Sequence, residues 1–100
     1  MQKTNLKFPL VSVLLSVYNG AEYIEECIES ILSQDHENLE IVLIDDCSSD
    51  DTFQIINKFN DQRLRTFRNK RNLGLTKSLN IGLKECRGDY IARIDHDDIC

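Results

Sequence analysis

Leu10-Val11-Ser12-Val13-Leu14-Leu15-Ser16-Val17 is a continuous run of mostly apolar, often β-branched residues near the start of the chain. A run of this kind is typical of a strand that is buried on both faces, as in a parallel sheet. Leu39-Glu40-Ile41-Val42-Leu43-Ile44 is a second run of similar character. The two runs therefore predict the buried strands of a parallel sheet.

Shorter runs and helical segments complete the predicted fold. Residues 64–68 alternate between apolar and polar side chains, which indicates a half-exposed strand at a sheet edge, and the mostly apolar residues 90–94 predict a fourth, buried strand. Apolar residues recur at helical spacing over about residues 21–34, 52–60 and 75–86, and Gly88 is predicted to close the third helix as a left-handed cap. Strands alternating with helices predict an α/β fold, with a mainly parallel four-stranded sheet and three crossover helices.

The composition is that of one small soluble domain. The chain has 100 residues, of which 41% are hydrophobic and 29% are charged. Its net charge of −5 argues against a nucleic-acid partner, which would select basic patches. No stretch approaches the roughly 18 apolar residues of a transmembrane segment, and no secretory signal is expected. The four cysteines lack metal-ligand spacing and are expected to be reduced thiols of a cytoplasmic protein.

Polar side chains follow three of the four predicted strands. The first strand ends in Ser16-Val17-Tyr18-Asn19, the second in Asp45-Asp46 and the fourth in Asp95-His96-Asp97-Asp98. Right-handed crossovers place these strand ends along one edge of the sheet, where the ligands of such sheets bind. The sequence therefore predicts a concave site lined by hydroxyls, an amide and carboxylates.

The acidic cluster at residues 95–98 suggests a metal ion. Carboxylates this close raise one another's pKa and cost free energy unless a cation neutralises them. Hard oxygen ligands suit Mg²⁺ or Mn²⁺, and such an ion can in turn hold a diphosphate. A solvated acidic turn is the simpler alternative. His96 is disfavoured as a ligand because the carboxylate oxygens are better placed.

The other polar residues each allow two interpretations. Asp45-Asp46 is either a helix-capping turn or an acceptor for a base N–H or sugar hydroxyls. Tyr18 offers either ordinary packing or a stacking face. The basic group of Lys70, Arg71 and Lys77 either stays solvated or contacts phosphate oxygens. No Gly-rich phosphate loop follows the first strand, which disfavours nicotinamide-dependent enzymes and P-loop proteins.

Five stretches, taken in order, resemble the N-terminal half of the family 2 glycosyltransferases. They are Val11-Ser12-Val13-Leu14-Leu15-Ser16-Val17-Tyr18-Asn19-Gly20, Ile31-Leu32-Ser33-Gln34, Glu40-Ile41-Val42-Leu43-Ile44-Asp45-Asp46-Cys47-Ser48-Ser49-Asp50, Asn72-Leu73-Gly74-Leu75 and Gly88-Asp89-Tyr90-Ile91-Ala92-Arg93-Ile94-Asp95-His96-Asp97-Asp98. The motifs keep the family's order and approximate spacing from about residue 8 to residue 98. Each stretch is weakly specific alone, but the ordered set is a strong signal.

The resemblance implies a Rossmann-like GT-A half-domain that binds a nucleotide-sugar donor, with a UDP-sugar favoured. Ser16 falls where the family contacts the base, and Asp46 falls where a carboxylate accepts the uracil N–H. Asp95 and Asp97 match the DXD motif, the first near the ribose and the second on the Mn²⁺ or Mg²⁺ that bridges the diphosphate. Together with Tyr18 and Asn19, these residues form the predicted donor site.

The resemblance also implies what the whole enzyme does. Residues 1–100 correspond to the donor-binding half, whereas the acceptor-binding half, with its Asp or Glu general base, is absent and expected downstream. The full-length enzyme would be metal-dependent and inverting, and it would transfer a sugar to a polysaccharide, lipid-linked or protein-linked acceptor, in the cytoplasm or at the membrane periphery. Residues 1–100 alone are expected to bind the donor and to transfer nothing. Two residues depart from the family pattern, since Leu79 replaces a frequent Arg and Cys47 replaces a common Gly.

Two other functions compete with this hypothesis. A nucleotidyltransferase has a related sheet and acidic metal site, but it normally shows a Gly-rich, basic loop where this chain has Tyr18-Asn19-Gly20. A non-enzymatic, receiver-like signalling domain would hold Mg²⁺ at Asp45-Asp46, around a phosphorylated Asp at the end of the third strand. That strand ends in Phe67-Arg68-Asn69, which counts against a receiver.

Overall fold

The computed structural model describes residues 9–34 and 38–94, which form a parallel sheet with helices on both faces. The strands are β1 (Val11–Val17), β2 (Leu39–Asp45), β3 (Leu64–Arg68) and β4 (Tyr90–Ile94). The helices are α1 (Ile24–Leu32), α2 (Thr52–Ile56) and α3 (Leu75–Glu85). The predicted α/β class, with a four-stranded parallel sheet and three helices, is confirmed. The acidic cluster at residues 95–98 lies outside the described residues.

The strand order is β3-β2-β1-β4, and each neighbouring pair is parallel. The chain proceeds from β1 through β2 to β3, and α3 then carries it back across β1 to β4. The direction of winding therefore reverses beside β1, and open parallel sheets bind ligands at the carboxyl ends of the strands at such a point. β3 lies at an edge of the sheet, as predicted.

The two central strands are buried because helices cover both of their faces. Alternate residues of β1 and β2 pack with α1 and α2, and Leu15, Ile28 and Leu43 are fully buried in this layer. The intervening residues, such as Leu14, form a smaller core with α3. Gly82 allows α3 to approach the sheet closely, since a Cβ there would lie 2.3 Å from Leu14 Cδ1. Burial on both faces thus explains the apolar composition of these strands.

β4 is exposed, so the prediction that this strand is buried was wrong. Tyr90 is 64% exposed and Ile91 is 46% exposed. α3 packs mainly against β1 and β2, and within the described ranges no strand pairs with the outer edge of β4. An open groove of about 230 Å³ remains between α3 and β4, with Leu79, Leu83 and Ile91 among its lining residues. An apolar strand sequence therefore does not distinguish a central strand from an edge strand with an uncovered face.

Two helices are shorter than their apolar periodicity predicts. α1 begins at Ile24 because the N–H groups of Tyr23 and Ile24 both bind the Gly20 carbonyl and first close a turn. α2 ends at Ile56 because the N–H groups of Lys58 and Phe59 bind carbonyls three residues back, as in a 3₁₀ turn. None of the helices in the described part of the chain is long and apolar enough to cross a membrane.

A buried charged network holds the amino-terminal edge of the sheet. Glu40 is 7% exposed, and its Oε2 accepts hydrogen bonds from Ser12 Oγ (2.5 Å) and the Arg87 N–H (2.7 Å). Its Oε1 accepts a hydrogen bond from Arg65 Nη1 (3.0 Å), and the same guanidinium pairs with Glu85 (3.3 Å). Burial alone would raise the pKa of Glu40, but these hydrogen bonds and the Arg65 charge outweigh burial and lower that pKa. The network connects three strands to the turn between α3 and β4.

Gly88 provides space for a close backbone contact, and its predicted role as a left-handed cap was wrong. Gly74 is the only glycine with a positive φ in the described residues, and α3 ends at an extended Cys86. The Gly88 N–H donates to Ser12 Oγ (2.8 Å). A Cβ on Gly88 would lie 2.7 Å from the Ser12 backbone nitrogen and 2.8 Å from the Leu10 carbonyl oxygen. The turn before β4 therefore lies directly against the start of β1.

Candidate functional site

Three loops meet at the carboxyl-terminal edge of the sheet. They are the β1 loop (residues 18–21), the β2 loop (residues 46–51) and the β3 loop (residues 69–74), each of which follows its strand. Because β1, β2 and β3 are parallel and adjacent, their loops share one edge. Hydrogen bonds that the Asn19 and Asp46 side chains accept connect the three loops.

Asn19 ties the β1 loop to the β2 loop. Its Oδ1 accepts hydrogen bonds from the N–H groups of Ser49 (2.7 Å) and Asp50 (3.3 Å), and its own N–H donates to Ser48 Oγ (2.9 Å). Asn19 has a φ of 54°, in the left-handed region that Asn adopts more readily than most residues. Asn19 therefore shapes this edge of the sheet, and its contact with a ligand stays a prediction.

Two further hydrogen bonds complete the junction between these loops. The Gly20 N–H donates to Thr52 Oγ1 (2.8 Å), and the Ala21 N–H donates to Asp50 Oδ2 (3.2 Å). Thr52 is fully buried at the start of α2. The chain segments that lead into α1 and α2 are therefore held in one arrangement.

Asp45 acts as a turn residue, in line with the structural alternative for the acidic pair. Its Oδ1 accepts hydrogen bonds from the N–H (3.2 Å) and the hydroxyl of Ser48. Its Oδ2 lies 3.4 Å from Arg68 Nε, and the Arg68 guanidinium also lies over the Phe53 ring at 4.5 Å from the centroid. Asp45 is 1% exposed, and its carboxylate lies against Ser48 and Arg68.

Asp46 anchors the β3 loop. Its Oδ1 accepts hydrogen bonds from Asn69 Nδ2 (2.8 Å) and the Leu73 N–H (2.8 Å), and its Oδ2 accepts one from the Gly74 N–H (2.9 Å). Burial alone would raise the pKa of Asp46, which is 3% exposed, but these hydrogen bonds outweigh burial and lower that pKa. An ionised carboxylate thus faces the amino terminus of α3, where the helix dipole favours it.

A side-chain hydrogen bond from Ser78 on α3 also lowers the pKa of Asp46. The carboxylate therefore has partners on both the β3 loop and α3. The predicted contact with the uracil N–H would add a further donor to this set, and it stays a prediction.

Ser16 and Tyr18 lie at the end of β1, on the same edge as Asp46. Ser16 is opposite Ile44 in the sheet register and is 9% exposed. Side chains alternate along a strand, so Ser16 faces the α3 side, as Leu14 does two residues earlier. Tyr18 is 50% exposed, which leaves its ring accessible to a planar ligand. The structure therefore brings together the four predicted donor residues that it describes.

The predicted metal site lies outside the described part of the chain. Asp95 and Asp97 follow Ile94, which is the last described residue and lies opposite Leu15 in β1. Within residues 9–34 and 38–94, no group of three or more His, Cys, Asp or Glu side chains could hold a metal ion. The roles of Asp95 and Asp97 therefore stay predictions.

Asn69 belongs to this site, although no motif indicated it. It is 9% exposed, and its Nδ2 donates to Asp46 Oδ1 and to Ser78 Oγ (2.9 Å) on α3. Asn69 directly follows β3, so extending the carboxyl-end rule to the third strand would have identified it. The neighbouring Lys70 and Arg71 are exposed, and so is Lys77, so their predicted contact with phosphate stays a prediction.

Cys47 has a strained backbone, which explains why Gly is common at this position of the family pattern. Its φ is 60°, and its thiol donates to the Lys70 carbonyl (3.6 Å). We expect Cys47→Gly to be more stable to urea than Cys47→Ala by about 1 kcal/mol, because glycine adopts a positive φ without steric cost. Cys47→Ala is the matched control, since it removes the thiol and keeps the strain. Equal unfolding free energies of the two variants would contradict this explanation.

The geometry of this edge agrees with a comparison of the sequence to known families. The family model described as Glycosyl transferase family 2 matches residues 12–100. The chain belongs to glycosyltransferase family 2. It is 48% identical over 93 residues to a glycosyltransferase of Haemophilus influenzae, a match that covers 91% of this chain and 29% of that protein. It is 43% identical over 89 residues to the Escherichia coli UDP-Glc:alpha-D-GlcNAc-diphosphoundecaprenol beta-1,3-glucosyltransferase WfaP, covering 89% of this chain and 36% of that protein.

Solved structures of glycosyltransferases show the same fold. S. aureus TarS 1-349 in complex with UDP-GlcNAc superposes with a TM-score of 0.82 at 35% identity, over 88% of this chain and 26% of that chain. The mannosyltransferase PcManGT from Pyrobaculum calidifontis, in complex with GDP-Man and Mn²⁺, superposes with a TM-score of 0.83 at 29% identity, over 89% and 28% of the two chains. The predicted GT-A fold of this family 2 glycosyltransferase is thereby confirmed. The chain spans 26% to 36% of the length of the four proteins compared.

One departure from the family pattern has a structural explanation. Leu79, where many family 2 glycosyltransferases carry Arg, is 8% exposed and packs in the α3-side core with Leu14. Leu79 therefore makes an apolar contact within this core and offers no positive charge to a donor. Any cation that contacts the donor from this part of the chain must therefore come from another position.

Proposed function

We propose that this family 2 glycosyltransferase binds a UDP-sugar donor at the carboxyl edge of its sheet, and that residues 1–100 are its donor-binding half. The observation that carries the proposal is the junction of three loops around Asp46, with Ser16 and Tyr18 on the same edge. An ionised carboxylate suits an N–H donor such as the imide of uracil. An exposed aromatic ring on the same edge suits a planar base.

A divalent cation would complete the donor site. Asp97, with Asp95 two residues before it, would hold Mn²⁺ or Mg²⁺, since carboxylate oxygens are the ligands these hard ions prefer. When bound, the ion supplies positive charge against the donor diphosphate and the departing nucleoside diphosphate. The mannosyltransferase solved with GDP-Man and Mn²⁺ supports the cation, and TarS solved with UDP and with UDP-GlcNAc supports the UDP donor.

The acceptor is proposed to be a polysaccharide or a lipid-linked glycan, with inversion at the transferred sugar. WfaP supports this class, because its name specifies a diphosphoundecaprenol-linked sugar. The general base would belong to an acceptor-binding half that residues 1–100 do not include. Residues 1–100 then bind the donor and position its base, and they transfer nothing by themselves.

The competing functions lose support. Membership of glycosyltransferase family 2 favours a glycosyltransferase over a nucleotidyltransferase and over a receiver-like domain. β3 ends at Arg68, whose guanidinium donates to the Ser48 carbonyl (3.1 Å) and lies over the Phe53 ring, so no phosphoacceptor carboxylate occupies the end of that strand. A single candidate function therefore remains.

The metal-dependent binding of UDP tests this proposal. We expect UDP to bind weakly in the presence of Mn²⁺, and about tenfold more weakly either without the ion or after Asp97→Ala, because the cation offsets the diphosphate charge. Isothermal titration calorimetry measures both effects. Asp51→Ala is the matched control, since Asp51 is an exposed aspartate on the same edge and makes no side-chain capping hydrogen bond. UDP binding that is independent of Mn²⁺ and unaffected by Asp97→Ala would contradict the proposed metal site.

A further inference from the structure

We infer that binding of the donor base at Asp46 and the position of the β3 loop depend on each other. Asn69 is then a positioning residue for donor binding. The inference rests on the proposed function and concerns the regulation of that same site. Its basis is one carboxylate that the ligand and the loop share.

The geometry of Asp46 requires this sharing. The β3 loop donates three hydrogen bonds to the carboxylate, through Asn69, Leu73 and Gly74. Ser78 on α3 contributes a further side-chain hydrogen bond to it. These hydrogen bonds fix the rotation of the carboxylate and so hold its oxygens in one orientation. A base N–H that binds there benefits from an acceptor that is already oriented. If the loop leaves Asp46, the carboxylate can rotate and the base loses this advantage.

Asn69 controls the arrangement from a buried position. Its Nδ2 bridges Asp46 Oδ1 and Ser78 Oγ, and its N–H donates to the Asp45 carbonyl (2.9 Å). The Asn69 Nδ2 is engaged inside the protein by Asp46 and Ser78, and Ser78 is fully buried. Asn69 therefore acts on the ligand through Asp46.

The β3 loop also carries positive charge. Lys70 and Arg71 are exposed and follow Asn69 directly. Since the Asp46 contacts hold the loop in place, they also set where these two cations lie relative to the phosphates of a bound donor. Binding of the base at Asp46 and of the phosphates at the loop should therefore reinforce each other, because coupling between two sites is reciprocal.

A double-mutant cycle tests the coupling. The affinities for UDP and for uridine are measured by calorimetry with Mn²⁺ for four proteins. These are the wild type, a variant that carries both Lys70→Gln and Arg71→Gln, the Asn69→Ala variant, and the variant that carries all three substitutions. In the wild-type background we expect removal of the two charges to weaken UDP binding about tenfold, as for a charge-assisted hydrogen bond, and to leave uridine binding unchanged. In the Asn69→Ala background we expect the same removal to weaken UDP binding less than about twofold. Lys84→Gln is the matched control, since Lys84 is an exposed lysine in the last turn of α3.

Amide hydrogen exchange gives a second test that needs no substitution. Saturating UDP should slow exchange of the Leu73 and Gly74 N–H groups in the wild type, because ligand and loop stabilise the same state of Asp46. If the wild type binds UDP but the effects of Asn69→Ala and of the charge removal on UDP affinity simply add, the inference is overturned. The proposed function is then unaffected. If Asn69→Ala prevents folding, unchanged exchange of these two amides on UDP binding would overturn it instead. A wild type that does not bind UDP would contradict the proposed function, and the inference with it.

Discussion

Replacing Glu40 by alanine is expected to lower the free energy of unfolding by about 2 to 4 kcal/mol, the range for removing one partner of a buried hydrogen-bonded charge. The substitution leaves Ser12 Oγ and the Arg87 N–H without their acceptor, and it removes the more buried of the two carboxylates that bind Arg65. Domains of this size are stabilised by only about 5 to 15 kcal/mol, so a large part of the stability is at stake. Urea unfolding followed by circular dichroism measures the loss.

Glu85→Ala is the matched control for this experiment. It removes the other carboxylate on the same guanidinium, but the Glu85 side chain is 40% exposed and its pair with Arg65 is longer, at 3.3 Å. We expect Glu85→Ala to cost less than about 1 kcal/mol, because exposed ion pairs contribute little. Equal losses for the two variants would show that the buried network does not hold the amino-terminal edge.

The same network makes stability depend on pH in a defined direction. Folding lowers the pKa of Glu40 from its ordinary value of 4.5, so its ionised form contributes stability above that value and loses the contribution as the pH falls. Glu40→Gln should therefore flatten the decline of the melting temperature on acidification below about pH 4.5.

Gly88→Ala is expected to lower the free energy of unfolding by about 2 to 3 kcal/mol, as overpacking does at a site that cannot relax. The added methyl group would meet the Ser12 nitrogen at 2.7 Å and the Leu10 carbonyl oxygen at 2.8 Å. Both atoms belong to the backbone, so no side-chain rotation can relieve the contact. The turn must move away from β1, which also breaks the hydrogen bond from the Gly88 N–H to Ser12.

Arg87→Ala separates this effect from a general disturbance of the turn. Arg87 is exposed, and the variant retains the backbone N–H that binds Glu40. Its free energy of unfolding should stay within about 0.5 kcal/mol of the wild type. If Gly88→Ala unfolds at the same temperature as Arg87→Ala, the close approach of the turn to β1 is not a constraint on this position.

The sequence by itself determined the fold class, the sheet, the helices and the family. These features depend on local periodicity, because β1 and β2 must be apolar on both faces and α1 must be apolar on one. The bounds of β3 and β4 follow from the same patterns. The order and spacing of the five motifs were sufficient to predict glycosyltransferase family 2, to which the chain belongs.

Only the tertiary structure decided how the candidate site is held together. Asp46 and Gly74 are 28 residues apart in sequence, and Asp46 and Asn69 are 23 apart, so no local pattern pairs them. The exposure of β4 and the close contact of Gly88 likewise depend on which strand α3 covers and on how closely the turn approaches β1. Periodicity indicates which positions of an element are apolar, whereas the covering of a strand and the hydrogen bonds between loops exist only once distant elements have been brought together.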